Sequence, residues 1–241
     1  MIFLITNDDG YEARGLQEFA AAMREIGDVY VVAPDSVRSC CSHSVTTAEE
    51  LHLQQMAPQD WSVSGTPTDC VRVAVRWLGI RPDWVLSGVN EGGNLGVDIH
   101  YSGTVAGARE ATLLGYRSMA ISQYLRRDRE RDWKLSGRRA RFAFESLSQR
   151  TLDPATFWNI NLPVVDHKEI ALELAHCDPE PDMLHFEYEH IERFTQPDQG
   201  LALEKIIYRS NYQMRPRSDH RDVAMCFAGA ITCTRLDVRL V

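Results

Sequence analysis

Ile2-Phe3-Leu4-Ile5-Thr6-Asn7-Asp8-Asp9-Gly10 is the stretch on which the fold turns. Ile2 to Ile5 is a continuous apolar run, too short for a buried helix and stopped by turn residues. That pattern suits a strand covered on both faces, as in a parallel sheet. Asn7, Asp8, Asp9 and Gly10 follow at its carboxyl end, where open α/β sheets collect their ligands. Two adjacent carboxylates there repel each other, and a divalent cation is the usual way to neutralise such a pair. The plainer alternative is an Asx-rich turn or helix cap.

Working outward, Gly15 to Ile26 carries Leu16, Phe19, Ala20, Met23 and Ile26 at helical spacing. Val29 to Ala33 is a second buried strand, closed by Pro34 and Asp35. The first βαβ unit lacks GxGxxG, so the dinucleotide fingerprint is absent. Ser36 to Thr47 is a hydroxyl-rich loop that this topology places beside Asp8 and Asp9. A strand is expected over Trp61 to Ser64. Thr66-Pro67-Thr68-Asp69 then has the chemistry of a helix start, the helix running to Leu78. Pro82 to Gly88 is the next strand and its exit, followed by a loop containing Gly92, Gly93 and Gly96, then Asp98, His100 and Tyr101. Ser102-Gly103-Thr104 opens a helix to about Leu114. Free N–H groups, hydroxyls and the positive dipole end suit phosphate there, although an ordinary capped helix would look the same.

Ser118 to Gln123 and Phe157 to Pro163 are further strands, separated by the charged run Arg126 to Asp132 and a helix over Arg138 to Leu147. Beyond Pro163 helical crossovers cease to be obvious. Ile170 to Leu174, Ile206 to Tyr208, Asp222 to Met225 and Ala230 to Leu236 are expected as strands or hairpins appended to the sheet. The expected organisation is a single domain over 1–241, with an α/β catalytic core at 1–165 and C-terminal strands and hairpins for oligomerisation at 166–241.

The formal net charge of −8 argues against a nucleic-acid polymer or an acidic membrane as partner. The six cysteines form no CxxC pair, and Cys40 and Cys41 are neighbours in which a bridge is sterically poor. These features, with no signal-peptide pattern, give a reducing, cytoplasmic location as the expectation.

Taken in order, the blocks resemble the SurE family of metal-dependent phosphatases. They are Thr6-Asn7-Asp8-Asp9-Gly10, Ala33-Pro34-Asp35 with Arg38-Ser39, Ser42 with Ser44, and Gly65-Thr66-Pro67-Thr68-Asp69-Cys70. They continue as Ser87-Gly88-Val89-Asn90, Gly93-Asn94-Leu95-Gly96, Tyr101-Ser102-Gly103-Thr104 and Asn159-Ile160-Asn161-Leu162-Pro163. The resemblance implies a Rossmann-like α/β fold, a mostly parallel sheet flanked by helices, with a C-terminal β-hairpin oligomerisation region. It implies hydrolysis of nucleoside 5′-monophosphates and assembly as a homodimer or homotetramer. It places metal ligands on Asp8, Asp9, Ser39 and Asn90, for one Mg²⁺ or Mn²⁺ per subunit. All are oxygen donors, which suits a hard cation.

In the chemistry expected from these residues, Asp8 and Asp9 hold the cation, and Asp8 orients or deprotonates the attacking water. Asn94, Ser102, Gly103 and Thr104 cradle the phosphate, with Asn7 in the same shell. His43 and His100 are candidates for the leaving-group acid, set against a reading as ordinary loop residues. Ser102 as nucleophile lacks an evident base. Two positions depart from the family pattern. Cys40 stands where glycine usually follows the metal-binding serine, and Arg235 replaces a proline. The first keeps open a rival in which the fold serves as an oligomeric ligand-binding scaffold without activity. A receiver domain would need an aspartate where the central strand ends in Ser87-Gly88, and a haloacid-dehalogenase-type phosphatase would need Asp-x-Asp.

Overall fold

The structure is a computed structural model that describes residues 1–195 and 202–239. In chain order its elements are β1 (Ile2–Thr6), α1 (Arg14–Arg24), β2 (Asp28–Pro34), β3 (Leu53–Ala57), β4 (Asp60–Val63), α2 (Pro67–Arg72), β5 (Trp84–Glu91), α3 (Gly103–Leu113), β6 (Arg117–Gln123), α4 (Trp133–Ser148) and β7 (Thr156–Leu162). The C-terminal part adds β8 (Leu174–His176), β9 (Phe186–Thr195), β10 (Ala202–Ser210), α5 (Asp222–Ala228) and β11 (Ile231–Asp237).

The large sheet has the order β3-β4-β2-β1-β5-β6-β7-β11-β8. From β4 to β7 the neighbours are parallel, and β3 and β11 join antiparallel at β4 and β7. β1 lies in the middle, between β2 and β5, so its carboxyl end is flanked on both sides by other strand exits.

The two-residue period sorts the core. Phe3 and Ile5 of β1, Leu86 of β5, Met119 and Ile121 of β6, and Trp158 and Ile160 of β7 enter one cluster with Leu16, Phe19, Met23, Ala140 and Phe144 of α1 and α4. The intervening residues face the other way: Leu4 and Val85 against Val71 and Cys70 of α2, and Ala120 and Phe157 against Val105 and Ala108 of α3. A strand buried this way must be apolar at every position, which is why Ile2 to Ile5 is unbroken.

Some expectations need correction. β5 runs past Ser87-Gly88 to Glu91, with an irregularity in its pairing to β6, so Asn90 belongs to the strand rather than to the loop after it. The helix expected from Thr66 to Leu78 has the expected start, with Thr66 and Asp69 in a reciprocal capping box, but changes after Arg72 into a wider π-helical turn over Val73–Trp77. α4 begins at Trp133, capped by Asp132, rather than at Arg138. Ile170 to Leu174 is irregular, and the short β8 starts only at its end. Asp222 to Met225 is helix α5, not strand: the Asp222 carboxylate accepts the Val223 N–H, and the helix stops at Gly229 in a left-handed conformation. β11 is a strand as expected, joining the main sheet beside β7. Among the described residues, β9 and β10 form a separate two-stranded ribbon. Among the described residues no helix is long and apolar enough to cross a membrane.

Candidate active site

Asp8 sits at the end of β1 and is 5% exposed. Its place is set by close approach of the first turn of α3. A Cβ on Gly103 would lie 2.9 Å from the Asp8 Cβ and 2.6 Å from Cys41 Sγ, so only glycine fits without movement. The backbone N–H groups of Gly103 and Thr104 and the Thr104 hydroxyl all donate to the Asp8 carboxylate. Burial raises the Asp8 pKa, and these donors oppose the rise. Asp9 is anchored differently, its Oδ2 accepting the Glu91 N–H at 2.7 Å. Burial, followed by repulsion from Asp8, pushes Asp9 up to about 7. Both shifts come first from burial, and for Asp9 the neighbouring Asp8 charge adds to it.

Asp8, Asp9, Ser39, Asn90, Asn94 and Ser102 line one cleft of about 650 Å³. Asn90 donates its amide to Gly92 O at 2.7 Å, which leaves its carbonyl oxygen as the available end. Ser39 arrives on the loop after β2, which is tied down by Arg38 N–H to Asp8 O (2.7 Å), Ser42 N–H to Tyr101 O (3.0 Å) and Thr46 to the Asp69 carboxylate (2.8 and 3.0 Å). Among the described residues no three His, Cys, Asp or Glu side chains gather in a way that could hold a metal ion. A cation here would rest on the two carboxylates and the neutral oxygens of Ser39 and Asn90.

The expected phosphate shell divides. Ser102 and Asn94 line the cleft. Ser102 caps α3 by accepting the Val105 N–H at 3.0 Å, a bond that does not use its own hydroxyl proton. One Asn94 amide N–H goes to Ser122 Oγ at 2.7 Å, and its backbone is fastened by Asn159 and Asn161. Gly103 and Thr104 do not face the cleft; the structure turns their donors onto Asp8. Asn7 is fully buried, donating to Gly10 O at 3.0 Å, with its Oδ1 lacking a partner. It shapes the turn beneath the acidic pair.

His43 Nε2 lies 2.8 Å from Glu110 Oε2, and neither His43 nor His100 lines the cleft. Burial would raise the Glu110 pKa, but hydrogen bonds from His43 and Arg72 outweigh it and hold the carboxyl below its usual range. Cys40 has φ +55°, the left-handed backbone that glycine adopts easily. Burial and the nearby Asp8 charge push the Cys41 thiol up to about 11, away from the thiolate form.

Sequence reasoning missed the brace behind the glycine loop. Arg215, whose side chain is fully buried, donates to Asp98 Oδ2 at 2.5 Å and to Leu95 O at 2.9 Å. Tyr212 OH reaches Asp98 at 3.0 Å and Gly93 O at 3.1 Å, and Asp222 accepts the Gly96 N–H at 2.7 Å. Gly96 has φ +53°, and a Cβ there would strike Glu180 O at 2.7 Å. No local signal could have found this brace, because Asp98 and Arg215 are 117 residues apart.

The family model for survival protein SurE matches residues 3–180. The chain belongs to the SurE family. A relative from Synechocystis sp. is 37% identical over 238 residues, 99% of this chain and 100% of that one. The 5′-nucleotidase SurE of Geobacter metallireducens is 45% identical over 164 residues, 68% of this chain and 65% of its own. The crystal structure of SurE protein from Aquifex aeolicus superposes with a TM-score of 0.82 at 29% identity, covering 100% of this chain and 95% of that one. The SurE match thus takes in β1, the Ser39 loop, Asn90 and the start of α3, the elements that form the acidic end of the cleft.

Proposed function

We propose that this SurE-family chain is a divalent-metal-dependent phosphatase that hydrolyses nucleoside 5′-monophosphates to nucleoside and phosphate. The observation that carries the reading is the adjacent pair Asp8 and Asp9, one buried and one half-buried, which line a single cleft with Ser39 and Asn90. Relatives bearing the name 5′-nucleotidase support the substrate class.

The donor set fits a hard cation. Asp8, Asp9, Ser39 and Asn90 offer only oxygen, and two carboxylates nearly balance a divalent charge. Mg²⁺ or Mn²⁺, one per subunit, would supply neutralisation of the phosphoryl oxygens and water of lowered pKa. Thr104 and Gly103 fix the Asp8 carboxylate, which lines the cleft. Asp8 would orient the attacking water and take up its proton as the new P–O bond forms. The P–O5′ bond breaks with a proton passing to the 5′ oxygen, which leaves as the nucleoside hydroxyl. Ser102 and the second Asn94 amide proton, both at the cleft, would donate to the phosphate. Attack by water needs no covalent intermediate.

We also propose self-association through the β9–β10 ribbon. Ile191, Leu203, Ile206 and Ile207 are 53, 41, 56 and 39% exposed there, and an isolated two-stranded ribbon is marginal in water. A second copy of the chain, in a dimer or tetramer, would cover them.

Phosphate release from AMP, GMP, CMP and UMP, with Mn²⁺, with Mg²⁺ and with chelator, tests the reaction. Release that depends on the cation supports it. No release from folded protein under any cation would sink it in favour of an inactive scaffold.

A further inference from the structure

The acidic corner accounts for one end of the cleft. The other end has a wall the phosphate chemistry does not use. Phe186 and Tyr188 of β9 and Tyr208 of β10 line the same cleft as Asp8, Asp9 and Asn90. Tyr188 stands directly opposite Tyr208 in the antiparallel register, and the two-residue period puts Phe186 on their face. The Phe186 and Tyr208 rings are stacked at 5.5 Å with 25° between planes, and Tyr188 meets both edge-on at 6.2 and 6.1 Å. Phe186, Tyr188 and Tyr208 nevertheless remain 43, 60 and 49% exposed, so ring surface is available to a ligand.

The opposite face of the same segment carries Glu187, Glu189, Ile207 and Arg209, with Arg209 paired to Glu189 at 2.6 Å. The exposed aliphatic residues Ile191 and Leu203 lie farther along the ribbon, away from Phe186 and Ser210. The rings gather at the root of the ribbon, over the cleft, with Ile206 next along their face.

We propose that this aromatic wall stacks the nucleobase of the substrate whose phosphate lies at the acidic end. Stacking tolerates any base, because every base has a π-face. The wall therefore favours nucleotides over base-free phosphomonoesters and, by contact area, purines over pyrimidines, without selecting one purine. The inference rests on the nucleotidase reading for the position of the phosphate.

The test uses the full chain with Mn²⁺ and compares AMP, CMP and ribose 5-phosphate as substrates for wild type, Tyr208→Ala and Tyr208→Phe. Tyr208→Ala should raise the KM for AMP about tenfold, the scale of one lost base–ring stack. CMP should suffer less, ribose 5-phosphate less than twofold, and kcat should change little; Tyr208→Phe should restore AMP. An equal loss for AMP and ribose 5-phosphate, or no loss for AMP, overturns the wall. Should wild type hydrolyse neither, the nucleotidase reading fails by itself. Calorimetric binding of adenosine then still decides the wall: it must be measurable for wild type and weaker for Tyr208→Ala, and absent or unaltered binding overturns it.

Discussion

β1 and the β9–β10 ribbon are both rich in apolar residues and have opposite surroundings. Phe3, Leu4 and Ile5 are 0% exposed, closed in by α1 and α4 on one face and α2 on the other. Ile206, Ile207 and Tyr208 are 39 to 56% exposed on both faces of a ribbon that joins no other sheet. The first region completes itself; the second presents its apolar surface to something outside the chain. In this reading the sheet body holds the chemistry and the ribbon holds the choice of ligand and partner.

The sharpest way to break that contrast is by truncation in each region. Phe3→Ala removes a ring packed edge-on against Phe144 at 5.2 Å and should cost about 3–5 kcal/mol in denaturant unfolding. Ile206→Ala, assayed dilute, should cost under ~1 kcal/mol because little area is buried there. Similar losses at both positions would make the ribbon part of the core. Next comes the link between the regions. Arg215→Ala leaves the Asp98 carboxylate without its buried partner and should cost about 2–4 kcal/mol, with a drop in phosphatase activity as the glycine loop loosens. Unchanged activity in a destabilised protein would confine the brace to stability.

The acidic corner makes a pH-dependent prediction. Asp9 is pushed up to about 7, and Asp8 is also raised. The folded chain therefore holds protons that the unfolded chain releases near pH 4, and without metal stability falls as pH rises from about 4 to 7. A cation binds the deprotonated pair, so its stabilisation is present above pH 7 and fades as pH falls through that value. Mn²⁺ at a hundredfold excess over its Kd should add about 2.7 kcal/mol at pH 8 and much less at pH 5.5, read as the shift in Tm. An equal shift at both values would place the metal elsewhere. The smallest effect belongs to Cys40→Gly, which relieves a left-handed backbone residue and should stabilise the chain by up to about 1 kcal/mol, with activity within a few-fold of wild type.

How much of this could be read beforehand follows from what each feature depends on. β1, α1 and β2 were legible because continuous apolar runs and three-to-four spacing are local patterns. The convergence of Asp8, Ser39 and Asn90 was legible because parallel topology puts strand ends on one edge. β3 was not, since Leu53-Gln54-Gln55-Met56-Ala57 shows no apolar alternation and is largely exposed. Asp222 to Met225 was misread because four residues cannot separate the two periods. In the site, Ser102-Gly103-Thr104 was legible as an anion-binding helix start, but not that the anion would be Asp8 itself. The Arg215 brace and the aromatic wall depend on contacts across long stretches of chain, which no spacing rule reports.

The central claim is that the Asp8–Asp9 pair holds the cation on which hydrolysis depends. Mn²⁺ binding by calorimetry and AMP hydrolysis, measured side by side on wild type and Asp8→Asn, test it most directly. The account predicts one Mn²⁺ per chain for wild type, and for Asp8→Asn both weakened binding and a loss of at least about 10³-fold in kcat, on the order of several kcal/mol of transition-state stabilisation. An Asp8→Asn protein that still hydrolyses AMP at the wild-type rate would contradict it.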